Sequence, residues 1–413
     1  MPGEYTAHVD TFARDALPPQ ELWPEFCFDL PELQYPERIN CGRELMQDHV
    51  QGKQEERLAI CSEIGDWTYA DLESRSNQFA NLLTDRLGLV PGNRVLLRAA
   101  NNPMLAAAWI GVMKAGGIAV TTMPMLRAPE LSTIARKAKI SHALCDRRLV
   151  DEIQAAARET GLMRESAVFD SADPDQLLGG QPVSFDAVDT AADDVALLAF
   201  TSGTTGSPKA TMHFHRDVMA MADIVGGRLL GMRADDLVVG SPPLGFTFGL
   251  GASLVFPLRF GAAVLLVESP APDVLLGGIQ ARRVSGLFTA PTMYRAMLSR
   301  LEGFDISSLR FCVSAGEALP KPTSDAWFEA TGLRIIDGIG ATELIHIFIG
   351  AAGDEIRPGA TGKPLPGYKA CVLDDDDQPL PPGSTGRLAV KGPTGCRYLD
   401  DERQQEYVVN GWN

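Results

Sequence analysis

Residues 198–209 read LAFTSGTTGSPK, seven hydroxyl-bearing or glycine residues in succession followed by Pro-Lys. Ser202, Thr204, Thr205 and Ser207 offer hydroxyls, Gly203 and Gly206 let backbone amides come close to a bound group, and Lys209 adds a positive charge. That set suits the polyphosphate tail of ATP. A charge-assisted hydrogen bond contributes about 1.5 to 3 kcal/mol, so three or four acting together would hold a triphosphate that water otherwise solvates. A flexible Gly/Ser/Thr linker has a similar composition. Against that alternative, the apolar run 195–200 just upstream reads as a buried strand feeding the loop. The spacing excludes a Walker P-loop, which needs four residues between its glycines and then Gly-Lys-Ser/Thr. Here only Thr204 and Thr205 separate Gly203 from Gly206, and Pro208 precedes the lysine.

The elements that must position this loop follow from the hydrophobic pattern. Thr68 and Asp71 stand at capping-box spacing where a helix begins, near residues 67–72. Strands are predicted at 94–98 and 118–122, and helices at 104–114 and 131–138. The apolar stretch 104–112 is cut short by Lys114, Gly116 and Gly117, so it reads as a core helix and not a membrane span. A second alternating set has strands near 236–240, 263–267, 286–290 and 311–314. Alternation of this kind predicts an α/β fold with mostly parallel sheets and helices on both faces. From about Gly362 short strands separated by Pro and Gly predict a small β-barrel or sandwich. The polar, acidic stretch 173–194 suggests a boundary, giving units 1–190, 191–361 and 362–413. The run Asp374 to Asp377 reads as a solvated turn.

With 53 acidic against 37 basic residues the net charge is -16, which disfavours nucleic acid or an anionic membrane as partner. Positive potential at a phosphate site must therefore be local, from Lys209 and oriented amides. The seven cysteines show no Cys-x-x-Cys pair, and the N-terminus has no basic region followed by an apolar core. Reduced thiols in a cytoplasmic protein are the expectation.

Two further motifs follow the loop: Ser314 to Pro320, SAGEALP, and Asp337 to Glu343, DGIGATE. In this order the three resemble the phosphate, adenine-side and adenine/magnesium motifs of the adenylate-forming superfamily, which includes acyl- and aryl-CoA synthetases, luciferases and peptide-synthetase adenylation domains. The resemblance covers the chain from about Asn40 to its end. It implies two doubly wound sheets in a layered αβαβα arrangement plus a β-subdomain. Relatives carry a Thr-Gly-Asp, a hinge and a mobile C-terminal domain beyond about this point, so the sequence is expected to represent a large N-terminal domain.

By the same resemblance, Thr201 to Gly206 and Lys209 hold the phosphates, Thr342 the α-phosphate, and Glu343 Mg²⁺. Magnesium takes one or two carboxylates plus phosphate oxygens and water, so one glutamate is adequate; taken without the motif order, Thr342 and Glu343 are also ordinary helix-start residues. Asp337 would accept from the adenine amino group, with Gly338 beside it, and Gly316, Glu317 and Ala318 would line the adenine's other side. Ile339 stands where relatives often have a stacking tyrosine. DGIGATELIHIF and SAGEALP look most like benzoate- and 2-aminobenzoate-CoA ligases. By that analogy Ala315, Gly340, His346 and Ile347 line the acyl pocket, with Thr247 and Phe248 closing it, although a lone histidine such as His346 is often a core residue. Small residues at Ala315 and Gly340 leave a flat slot suited to an aryl ring, and Thr247 hints at an ortho-amino or hydroxy substituent. Phe246 replaces a gating histidine of many acyl-CoA synthetases, and His213 and His215 are expected to be structural.

The implied reaction is attack of a carboxylate on the α-phosphorus of ATP with loss of pyrophosphate, then thioester formation with coenzyme A. Positioning and charge neutralisation carry such chemistry, without a protein nucleophile. A carrier-protein thiol as acceptor, a homodimer, and a non-catalytic nucleotide-binding module remain open alternatives.

Overall fold

The computed structural model describes residues 5–50, 54–201 and 208–413. Strands β1 (Leu58–Cys61) and β2 (Trp67–Thr68) lie at one edge of a large sheet. The next six strands, β3 (Arg94–Arg98), β4 (Ile118–Thr122), β5 (His142–Asp146), β6 (Glu165–Phe169), β7 (Val195–Thr201) and β8 (Lys209–Phe214), build a separate one. Its order is β6-β5-β3-β4-β7-β8, parallel except for the β7–β8 pair. The large sheet is completed by β9 (Leu237–Gly240), β10 (Ala263–Leu265), β11 (Gly286–Thr289), β12 (Phe311–Ala315), β13 (Ile335–Gly340), β14 (Ile347–Gly350) and β15 (Lys363–Pro364). Its order is β15-β14-β13-β12-β11-β9-β10-β1-β2, with antiparallel strands at both edges.

Alternation along the strands explains the layers. In β3, Val95 and Leu97 point into the largest apolar core while Leu96 points into a second one, with Leu131, Ile134 and Phe214. In β9, Val238 joins the largest core and Val239 a third, with Leu275, Tyr294 and Trp327. Two sheets, each buried on both faces, with helices between and outside them give the layered α/β arrangement that the resemblance implied. The helix Pro103–Lys114 is buried along its whole length, because it lies in the layer between the sheets and has no solvent face. Asn102 caps it by accepting from the Leu105 amide. Thr68 and Asp71 form the expected capping box at the start of the helix Tyr69–Asn81.

The boundary expected at residue 190 does not separate the two sheets. Strands β7 and β8 close the first sheet, and β1 and β2 close the second, so each sheet draws strands from both sides of that residue. Beyond Gly362 the barrel expectation is corrected. The described residues form β15 on the large sheet and one antiparallel pair, β16 (Lys369–Leu373) with β17 (Arg387–Lys391). The hydrogen bonds that would close a barrel go elsewhere: Cys27 donates its amide to the Gly392 carbonyl, and residues 397–399 add to β8 through Met212 to Arg397 and Leu399 to Ala210. Asp374 to Asp377 form a turn, its Asp377 paired with Arg387. All seven cysteines are free thiols, and no described helix is long and apolar enough to cross a membrane.

Candidate active site

Parallel strands present their carboxyl ends along one edge of a sheet, and ligands of open α/β folds sit outside those ends. A cavity of ≈ 490 Å³ lies there, walled by residues at or just past the ends of β9, β11, β12 and β13: Ser241, Ala290, Ala315 and Gly340. All six residues expected in the acyl pocket, Thr247, Phe248, Ala315, Gly340, His346 and Ile347, line this one cavity, together with Gly316 and Thr342. Two glycines set its shape. A Cβ on Gly340 would stand 2.9 Å from the His346 carbonyl oxygen, and Gly316, at φ +89°, turns the chain away from the end of β12. Phe246 lines both this cavity and an adjoining one of ≈ 400 Å³ that also touches Thr201 and Pro208.

His346 is buried beneath the wall, with its ring 4.7 Å from that of Phe256 and 5.5 Å from that of Phe248. Its Nε2 lies 3.3 Å from the Phe248 carbonyl oxygen, which makes that nitrogen the donor and leaves Nδ1 without a partner among the described residues. Burial lowers its pKa to about 3, so the ring is neutral at pH 7. It cannot neutralise a carboxylate.

Two charged side chains, Lys209 and Glu343, lie outside the lining of this cavity. Thr201 and Lys209 face each other across the β7–β8 hairpin. Ser202, Gly203, Thr204, Thr205 and Gly206, expected to cradle phosphates, lie outside the described residues. Thr342 and Glu343 sit on a short 3₁₀ turn, Thr342–Leu344, after β13. His213 of β8 holds that turn from below, its Nε2 2.8 Å from the Thr342 carbonyl oxygen, and burial lowers its pKa to about 4. Ile345, which ends the turn, is fully buried at φ +66°, a conformation a β-branched residue adopts only under strain. His215, also deep in the core, accepts from the Cys41 amide at Nδ1, which lies 3.1 Å from the Cys41 sulfur.

One participant gave no sequence signal. Tyr398 donates its hydroxyl hydrogen to Glu343 Oε1 at 2.5 Å and accepts from Lys209 Nζ at 3.2 Å. It lies 189 residues from Lys209 and reaches it only because residues 397–399 pair with β8. The two charges it bridges are within about 6 Å, where unit charges attract by about 3 kcal/mol at an effective dielectric of about 20. Ser241 and Ala290 were also missed, though the rule about carboxyl ends of strands points to both.

The residues expected around adenine are divided. Asp337 and Ala318 line a separate recess of ≈ 150 Å³ with Arg357, Gly359 and Thr361. There Asp337 accepts from the Thr361 hydroxyl at 3.2 Å, and burial raises its pKa. Glu317 and Ile339 are exposed beside it, while Gly338 is buried against Ile347.

Known proteins resemble this chain in sequence and in fold. The family model described as AMP-binding enzyme matches residues 46–397. Benzoate–CoA ligase of Thauera aromatica is 30% identical over 373 residues, 89% of this chain and 71% of that protein. Anthranilate–CoA ligase of Pseudomonas aeruginosa is 32% identical over 353 residues, 82% of this chain and 65% of that protein. The crystal structure of the anthranilate CoA ligase AuaEII in complex with anthranoyl-AMP superposes with a TM-score of 0.88 at 30% identity, covering 93% of this chain and 76% of that one. The match through residues 46–397 and the likeness to these ligases lead to one conclusion: this chain belongs to the AMP-binding enzyme family.

Proposed function

We propose that this protein is an aryl-CoA ligase that activates an aromatic carboxylic acid with ATP. The carboxylate oxygen bonds to the α-phosphorus as the bond to pyrophosphate breaks, and the sulfur of coenzyme A then displaces AMP from the aryl carbonyl. The observation that carries this reading is the division of the site: an apolar cavity of ≈ 490 Å³ with a neutral histidine in its wall, whose lining includes Thr342, next in the chain to the Glu343 that Tyr398 links to Lys209. The volume is within the ordinary range for small-molecule sites. Because the far wall offers no positive charge, the carboxylate end of an aromatic acid is best accommodated toward Thr342.

Lys209 and the Thr201 to Gly206 loop act on the phosphates and Thr342 on the α-phosphate. Ala315, Gly340, Ile347 and Phe248 enclose the ring. Gly316, Glu317, Ala318, Asp337, Gly338 and Ile339 flank the adenine. Glu343 fits Mg²⁺, since its Oε1 accepts one hydrogen bond and Oε2 is open among the described residues, and this cation takes few carboxylates alongside phosphate oxygens and water. When bound it supplies charge neutralisation at the phosphates. Benzoate and 2-aminobenzoate are the favoured acids, in keeping with the relatives named for them. Thr247, whose side chain makes no hydrogen bond among the described residues, can serve an ortho donor.

The test is carboxylate-dependent exchange of pyrophosphate into ATP, combined with titration calorimetry over a panel of benzoates with ATP and Mg²⁺. Benzoate-type acids should support exchange and bind. Faster exchange with a long-chain fatty acid would overturn the aryl reading, and no exchange with any acid would favour a nucleotide-binding module. Exchange without a CoA thioester would favour a carrier-protein acceptor.

A further inference from the structure

Lys209 and Glu343 carry opposite charges, lie close together, and form no ion pair among the described residues. The neutral hydroxyl of Tyr398 stands between them and satisfies both. We infer that Tyr398 is a positioning residue that keeps this lysine and this carboxylate from neutralising each other, so that one stays directed at phosphate and the other at the cation. The inference rests on the adenylation reading above and assigns a role to a residue outside the three sequence motifs.

The hydroxyl is fixed by its own backbone. The Tyr398 amide donates to Gln404 Oε1 at 2.8 Å, the neighbouring Arg397 carbonyl accepts from the Met212 amide at 2.7 Å, and the Leu399 amide donates to the Ala210 carbonyl at 2.8 Å. Arg397 is itself buried in an ion pair with Asp217. The ring packs edge-on against Tyr407, 5.7 Å between centroids, and Lys209 Nζ stands 4.9 Å from the Tyr398 ring centre. A bridge anchored at so many points does not follow the lysine if the lysine moves. When a nucleotide enters, Lys209 exchanges one neutral acceptor for a charged one, and no ion pair has to be broken first.

Tyr398→Phe keeps the ring and its packing while removing the bridge. Metal-free ATP affinity, measured by calorimetry in EDTA, should fall about tenfold, because Lys209 closes onto Glu343. In the Glu343→Gln background no carboxylate competes for the lysine, so adding Tyr398→Phe should leave ATP affinity within about twofold. A purely structural tyrosine would lower affinity equally in both backgrounds, which would overturn the inference, as would unchanged affinity in the single variant. Wild-type protein that binds no ATP would instead remove the adenylation reading and this inference with it.

Discussion

The two ends of the site are built in opposite ways. The apolar end is made of backbone spacing and apolar side chains at the ends of parallel strands, and its one ionisable group, His346, is held neutral by burial. The polar end is made of half-buried side-chain tips, Lys209, Thr342 and Glu343, brought together from both sheets and hydrogen-bonded through Tyr398 and His213. A wall of that first kind selects by shape and tolerates little change. A corner of the second kind can select by charge, and in a chain of net charge -16 positive potential there has to come from local groups such as Lys209.

The comparison breaks most readily at the foundation of the charged corner. Arg397→Met leaves Asp217 buried without its guanidinium partner, holding only the Phe214 amide and a neutral His213 3.9 Å away among the described residues, and should cost about 3–5 kcal/mol in urea unfolding. Adding Asp217→Asn should recover part of that loss. Lys209→Met should lower pyrophosphate exchange about 100-fold with little change in melting temperature, since only a tip is lost. An equal drop in stability would show that the corner is as tightly built as the wall. Gly340→Ala places its new carbon against the His346 carbonyl, and should raise KM for the acid about tenfold while leaving KM for ATP near wild type. Parallel increases would contradict the division of the site.

Acid should weaken the fold through the buried histidines. His213 and His346 have folded-state pKa values lowered to about 4 and about 3, so both stay neutral in the native state while the unfolded chain takes up protons below about 6.5. Their contribution is present above pH 6.5 and is lost as pH falls toward 4, by about 1.4 kcal/mol per pH unit for each group. Urea midpoints at pH 7 and 5 should differ accordingly, and His213→Gln should reduce the difference. The smallest effect is expected from Thr247→Ala, a change of less than about fivefold in preference between benzoate and 2-aminobenzoate. No change at all would remove the role given to its hydroxyl.

Much of the cavity wall was legible because its residues fall within short motifs at the ends of predictable strands. SAGEALP and DGIGATELIHI carry Ala315, Gly340, His346 and Ile347 in order, and local chain geometry takes them to one cavity. The barrel expectation beyond Gly362 failed for a physical reason: Pro and Gly texture predicts short strands but not which neighbours satisfy their edges, and here residues 397–399 attach to β8. The same long-range pairing hid Tyr398.

Read alone, the chain determined its alternating elements, the capping of its helices and the family its three motifs resemble, since these depend on side-chain type and spacing over a few residues. Only the tertiary structure decided that β1, β2, β7 and β8 cross between the halves, that His346 is a neutral part of the wall, and that a tyrosine separates Lys209 from Glu343. Those outcomes depend on burial and on pairing between distant segments, and neither is encoded in any local pattern of residues.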